Sequence, residues 1–212
     1  MRHVVLAGDS IFDNKPYVAH GDTVSDLMRS KLSSRDSYTL LAVDGHISNN
    51  VNQQLTQLPS DCSDLFISVG GNDALQNAYI LNSQVTSVTE AFELFNNAIV
   101  NFKRDYLGMI DNVLKSCAAI NCKNITLCTV YNNVPGLGHI EKTALALFNE
   151  VILDVAISFK LNVIDLRNTC DDEADYSEIS PIEPSFAGGN KITDVIIDVI
   201  QNNKEQVTHI FQ

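Results

Sequence analysis

The sequence predicts an α/β protein built on one doubly wound parallel sheet. Three observations lead to that class. Short apolar runs alternate with longer segments of helical spacing, the pattern of successive β-α-β units. The runs are rich in Val, Ile and Leu and are continuous rather than alternating, as strands buried on both faces are. The 212 residues show no linker, internal repeat or low-complexity tract, so the chain reads as one domain, 1–212. A domain of that size buries roughly 70% of the surface its unfolded chain exposes, which allows a sizeable core.

Taken in order, Val4-Val5-Leu6-Ala7 is the first strand, ending in Gly8-Asp9-Ser10. A polar loop follows, and Val24, Leu27, Met28 and Leu32 then recur at the spacing of a buried helical stripe. The second strand is Tyr38–Val43, followed by Asp44-Gly45-His46 and a short helix from Ser48 to Gln57. The third is Leu65–Val69, ending in Gly70-Gly71-Asn72-Asp73. A long helical pattern fills Ser87 to Cys117. The fourth strand is Ile125–Val130, and a helix carries Ala144, Leu147, Phe148, Val151, Ile152 and Val155. The fifth strand is Val163–Leu166, residues 167–187 are polar and irregular, and Gly188-Gly189 opens a last helix. Right-handed crossovers stack five strands in the order 2-1-3-4-5.

Composition excludes several functions. The net charge of −12 and the absence of a basic run argue against nucleic acid and against anionic membranes. No apolar run approaches the ~20 residues needed to span a bilayer. Met1-Arg2-His3 leads straight into the first strand with no secretion signal, so a cytoplasmic location is expected. Cys62, Cys117, Cys122, Cys128 and Cys170 are odd in number and irregular in spacing, which fits reduced, partly buried thiols.

In a parallel sheet the carboxyl ends of the strands share one edge, and ligands bind there. Ser10, Gly45 and Asn72 all follow strand ends. Ser10 is the candidate nucleophile. A serine needs a base, and donors for the oxyanion that forms on an acyl carbon. The Asn72 amide and the backbone N–H groups of Gly45 and Ser10 are the right types of donor. Asp9, Asp13, His46 and Gly71 lie beside them and are the candidate substrate contacts.

Gly8-Asp9-Ser10, Gly45, Gly70-Gly71-Asn72-Asp73 and Pro181–Gly189 resemble, in order and over nearly the whole chain, the four blocks of the SGNH (GDSL-type) hydrolases. The resemblance implies a flavodoxin-like three-layer α/β/α sandwich and ester hydrolysis through an acyl-serine; no cofactor or metal is expected. It assigns Ser10 as nucleophile and Gly45 and Asn72 as oxyanion donors. The last block departs from the pattern. Where the family places Asp and, three residues later, His, this chain has Ser180 and Glu183.

The base is therefore open among Glu183, His46 and His139, or Ser10 is no longer catalytic. His3, His20 and His209 have no supporting context. Two functions follow: a serine hydrolase of carboxylic esters or acyl groups, or a catalytically impaired protein that binds an acyl or carbohydrate ligand. A third reading, Mg2+ held by Asp9, Asp13, Asp44 and Asp73, lacks a phosphate-cradling loop. A flavin site lacks the Ser/Thr-rich first loop.

Overall fold

In the computed structural model, which describes residues 1–202 and 210–211, strand β1 (His3–Gly8) lies inside the sheet. Val4, Val5, Leu6 and Ala7 are all fully buried. Strand alternation sends Val4 and Leu6 to one face and Val5 and Ala7 to the other, and each pair joins a different core. That two-sided burial is the physical reason for a continuous apolar run. β1 ends at Gly8 with φ +127°, where a Cβ would lie 1.8 Å from the Ser68 carbonyl oxygen. Only glycine lets the chain leave β1 this close to its neighbour.

β2 (Ser37–Leu40), β3 (Asp64–Ser68), β4 (Asn124–Cys128) and β5 (Asn162–Ile164) pair in parallel in the order β2-β1-β3-β4-β5. Val5 sits opposite Thr39 on one side and Leu65 on the other. This is the expected topology. A short sixth strand, β6 (Ile210–Phe211), extends it, with Ile210 beside Val163. Two apolar residues in polar surroundings are too short a run to read as a strand.

Seven α-helices cover the sheet among the described residues: α1 (Val24–Lys31), α2 (Val51–Gln54), α3 (Gly71–Gln76), α4 (Val88–Ala119), α5 (His139–Phe159), α6 (Leu166–Thr169) and α7 (Phe186–Asn202). α1 and α7 pack Val24, Met28, Ile192 and Ile196 against Val4, Leu6, Phe66 and Ile164. On the opposite face α2, α4 and α5 pack Val51, Phe102, Ile110 and Ile152 against Val5, Ala7, Ile67 and Leu127. The result is a three-layer α/β/α sandwich.

Local chemistry sets the helix starts. Thr23 Oγ1 accepts the Asp26 N–H at 3.1 Å, and the Thr23 N–H donates to the Asp26 carboxylate at 3.2 Å. Ser87 Oγ accepts the Glu90 N–H at 3.1 Å and starts α4.

Several boundaries differ from the sequence expectation. β2 stops at Leu40 rather than Val43, yet the Leu41 and Val43 N–H groups still donate to the Leu6 and Gly8 carbonyls at 2.8 and 3.1 Å. Residues 41–43 follow β1 without continuing the ladder. β5 stops at Ile164 because the Asp165 side chain accepts the Arg167 N–H at 3.2 Å and caps α6. α7 begins at Phe186, ahead of Gly188-Gly189. His209 lies outside the described residues. No helix among those described is long and apolar enough to cross a membrane.

Candidate active site

Because the strands are parallel, the turns after β1, β2 and β3 open on one edge. Ser10, just past β1, is buried, and its hydroxyl donates to Glu183 Oε1 at 3.0 Å. Glu183 reaches it from the turn before α7, and that turn is tightly tied. The Ser177 N–H donates to the Glu183 carbonyl at 2.8 Å and the Glu183 N–H to the Ser180 carbonyl at 3.0 Å. The Tyr131 hydroxyl donates to the Ile182 carbonyl at 2.6 Å, and the Asn14 amide to the Pro184 carbonyl at 3.2 Å.

Glu183 is only 5% exposed. Burial pushes its carboxyl up to about 7; the Ser10 hydrogen bond opposes the rise and the Asp44 charge adds to it. Its second oxygen, Oε2, is buried with no hydrogen-bond partner among the described residues. A carboxyl poised near neutrality on a serine hydroxyl is chemically a proton acceptor for that serine.

Asn72 sits in the first turn of α3 and donates one amide hydrogen to the His46 carbonyl at 2.9 Å. The Nδ2 group has two hydrogens, so one remains for a ligand. Gly45 precedes His46 with φ +79°, a left-handed turn that favours glycine, and the position a Cβ would take is open. Neither the Ser10 nor the Gly45 N–H takes part in a turn or loop hydrogen bond among the described residues.

One buried side chain joins these pieces. Gln54 Oε1 accepts the Gly8 N–H at 2.7 Å, and its Nε2 donates to the Gly8 carbonyl at 2.7 Å and to His46 Nδ1 at 2.9 Å. Gln54 thus ties the nucleophile strand to the Gly45-His46 loop, whose carbonyl holds Asn72. Sequence reasoning missed it. The signal was present: Gln54 shares the helical stripe of Val51 and Leu55, and a polar residue on a buried stripe needs partners.

Asp9, Ser10, Gly71, Asn72 and Glu183 line one cavity of ≈200 Å3. His46 turns Nδ1 to Gln54, with that lone pair already accepting a bond. His139 is exposed at the start of α5 and does not line the cavity. Asp13 lies elsewhere, lining a second cavity and accepting the Asp44 N–H at 3.1 Å. Asp9 accepts the Ile11 N–H at 3.1 Å, and burial pushes its carboxyl up. Asp73 accepts from the Ser48 N–H at 3.0 Å and hydroxyl at 2.6 Å. No group of three or more His, Cys, Asp or Glu among the described residues is arranged to hold a metal ion.

Solved structures share this architecture. A lipase from a goat rumen metagenome, Lip_vut3, superposes with a TM-score of 0.70 at 17% identity, over 93% of this chain and 97% of its own. A member of the lipolytic G-D-S-L family from Veillonella parvula gives 0.68 at 13% identity, over 95% and 100%. The fold is that of the GDSL, or SGNH, hydrolases. Phospholipase A1 from Streptomyces albidoflavus has the same GDSL fold at 0.65 and 21% identity, over 93% of this chain and 98% of its own. By sequence, no family model and no curated protein matches the chain.

Proposed function

We propose that the protein is a serine hydrolase of carboxylic esters, with Ser10 as nucleophile and Glu183 as general base. The observation that carries this is the buried Ser10 Oγ–Glu183 Oε1 hydrogen bond of 3.0 Å, made by a carboxyl pushed up to about 7. The lipase and esterase activities of proteins with this fold support the same reaction class.

Glu183 takes the Ser10 proton as Oγ attacks the ester carbon. The carbonyl oxygen becomes an oxyanion facing the Ser10 and Gly45 N–H groups and the free Asn72 hydrogen. Glu183 then returns the proton to the leaving alkoxide, and the acyl group stays on Ser10. A water deprotonated by Glu183 attacks the acyl carbon, and as the bond to Ser10 breaks Glu183 gives that proton to Ser10 Oγ, releasing the carboxylic acid. Each oxyanion donor is worth about 3 kcal/mol of transition-state stabilisation. The five free, buried cysteines support a reducing compartment, the cytoplasm, as its place of action.

A second reading is favoured by Glu183 Oε2, which no third group orients: a protein that binds acyl ligands and turns them over little. A fluorophosphonate probe separates the two. Labelling of Ser10 between pH 6 and 9, lost in Ser10→Ala, is expected of the hydrolase. Absence of labelling across that range overturns it in favour of binding.

A further inference from the structure

The cavity beside Ser10 is built for a chain rather than for a polar group. Leu81, Phe95, Ala98, Ala144, Leu145 and Phe148 line it, drawn from the 78–82 turn, α4 and α5. Two of its polar residues are otherwise occupied or peripheral. The Asn77 amide gives one hydrogen to the Asp73 carbonyl at 2.9 Å, and Glu141 is exposed in the first turn of α5. The walls formed by Leu81, Phe95, Ala98, Ala144, Leu145 and Phe148 are carbon, and burying a sugar hydroxyl or a charged headgroup against them unpaired is unfavourable. Leu75 and Ile182 also line the cavity while remaining 50% and 40% exposed, so its entrance from solvent is itself apolar.

Size bounds the chain. An apolar cavity of about 150 Å3 takes benzene, six carbons. At ≈200 Å3 this one takes about eight. Ala98 on α4 and Ala144 on α5 are the small residues that leave the room. The net charge of −12 disfavours an anionic leaving group such as the nucleotide of a coenzyme A thioester.

We infer that this cavity is the acyl site for a medium-length saturated chain, about six to ten carbons, of an uncharged ester. The inference rests on the hydrolase reading above. It is tested with p-nitrophenyl esters from acetate to octanoate. A buried methylene is worth up to about fourfold, so kcat/KM is expected to rise at least 100-fold from acetate to octanoate. Ala144→Phe is expected to lower the octanoate-to-acetate ratio at least tenfold. A flat profile, or one best at acetate, with Ser10 still labelled by a fluorophosphonate, overturns the chain site and leaves the hydrolase standing.

Calorimetric titration of the Ser10→Ala protein with 1-octanol and 1-butanol reads the cavity without turnover. Octanol binding at least tenfold tighter is expected even if esters are not hydrolysed, in which case only the hydrolase reading falls. Equal or absent binding of both alcohols overturns the chain site.

Discussion

Glu183→Gln keeps the shape of the side chain and an acceptor for Ser10 but removes the ionisable group. Raising the carboxyl from its ordinary 4.5 to about 7, at about 1.4 kcal/mol per pH unit, makes the charged form about 3 kcal/mol costlier in the native state than in the unfolded chain. The sign follows from proton counts. Between pH 4.5 and 7 the unfolded chain has lost the proton while the native state keeps it, so stability falls as pH rises. Below that window both states are protonated and Glu183 contributes no slope; above it the full penalty stands. With 5% exposure, solvent screening does little to reduce the figure. The variant is therefore expected to be more stable than the parent by about 3 kcal/mol at pH 8 and about equal to it at pH 4. Urea unfolding at several pH values measures the difference directly. Ester hydrolysis is expected to fall by about 10²- to 10⁴-fold in the same variant. A stability difference that does not change between pH 4 and 8 would refute the raised carboxyl, and unimpaired hydrolysis would refute its role as base.

In the parent, kcat/KM should climb about tenfold per pH unit below 7 and level off above it; a plateau reached by pH 5 argues against Glu183. Asn72→Ala should lower kcat about 10²- to 10³-fold with little change in KM, since an oxyanion donor acts mainly in the transition state; steady-state kinetics reads this, and an effect on KM alone counts against the oxyanion role. Gln54→Leu strands the buried Gly8 N–H and carbonyl and should cost about 2–4 kcal/mol in urea unfolding, lowering kcat more than it raises KM. Gly8→Ala puts a methyl group 1.8 Å from the Ser68 oxygen and should lose more than about 4 kcal/mol; near-parental thermal unfolding would contradict the described turn.

Periodicity and strand-end logic made the scaffold legible. Val4–Ala7 is apolar at every position because both faces of β1 are covered, and that property is local enough to read from residues alone. Strand order follows from the handedness of crossovers, which needs only the sequence of elements. Ser10 and Asn72 were legible for the same reason: parallel strands deliver their ends to one edge. β6 was not legible, since a two-residue strand exists only by pairing with β5.

The base lay beyond sequence reasoning, which left Glu183, His46 and His139 open. Which of them lies against Ser10 depends on side-chain direction, and that is set by distant partners. Tyr131, Ser177 and Asn14 hold the turn that brings Glu183 to Ser10, and Gln54 turns His46 another way. The altered carboxyl likewise belongs to no motif; it arises from burial among residues far apart in the chain. The amino-acid order thus determined the sheet and the residues at its edge, because hydrophobic period and chain direction are local. Which of those residues touch, and in what charge state, only the packed structure decided, because desolvation and hydrogen-bond geometry depend on neighbours that the linear order keeps apart.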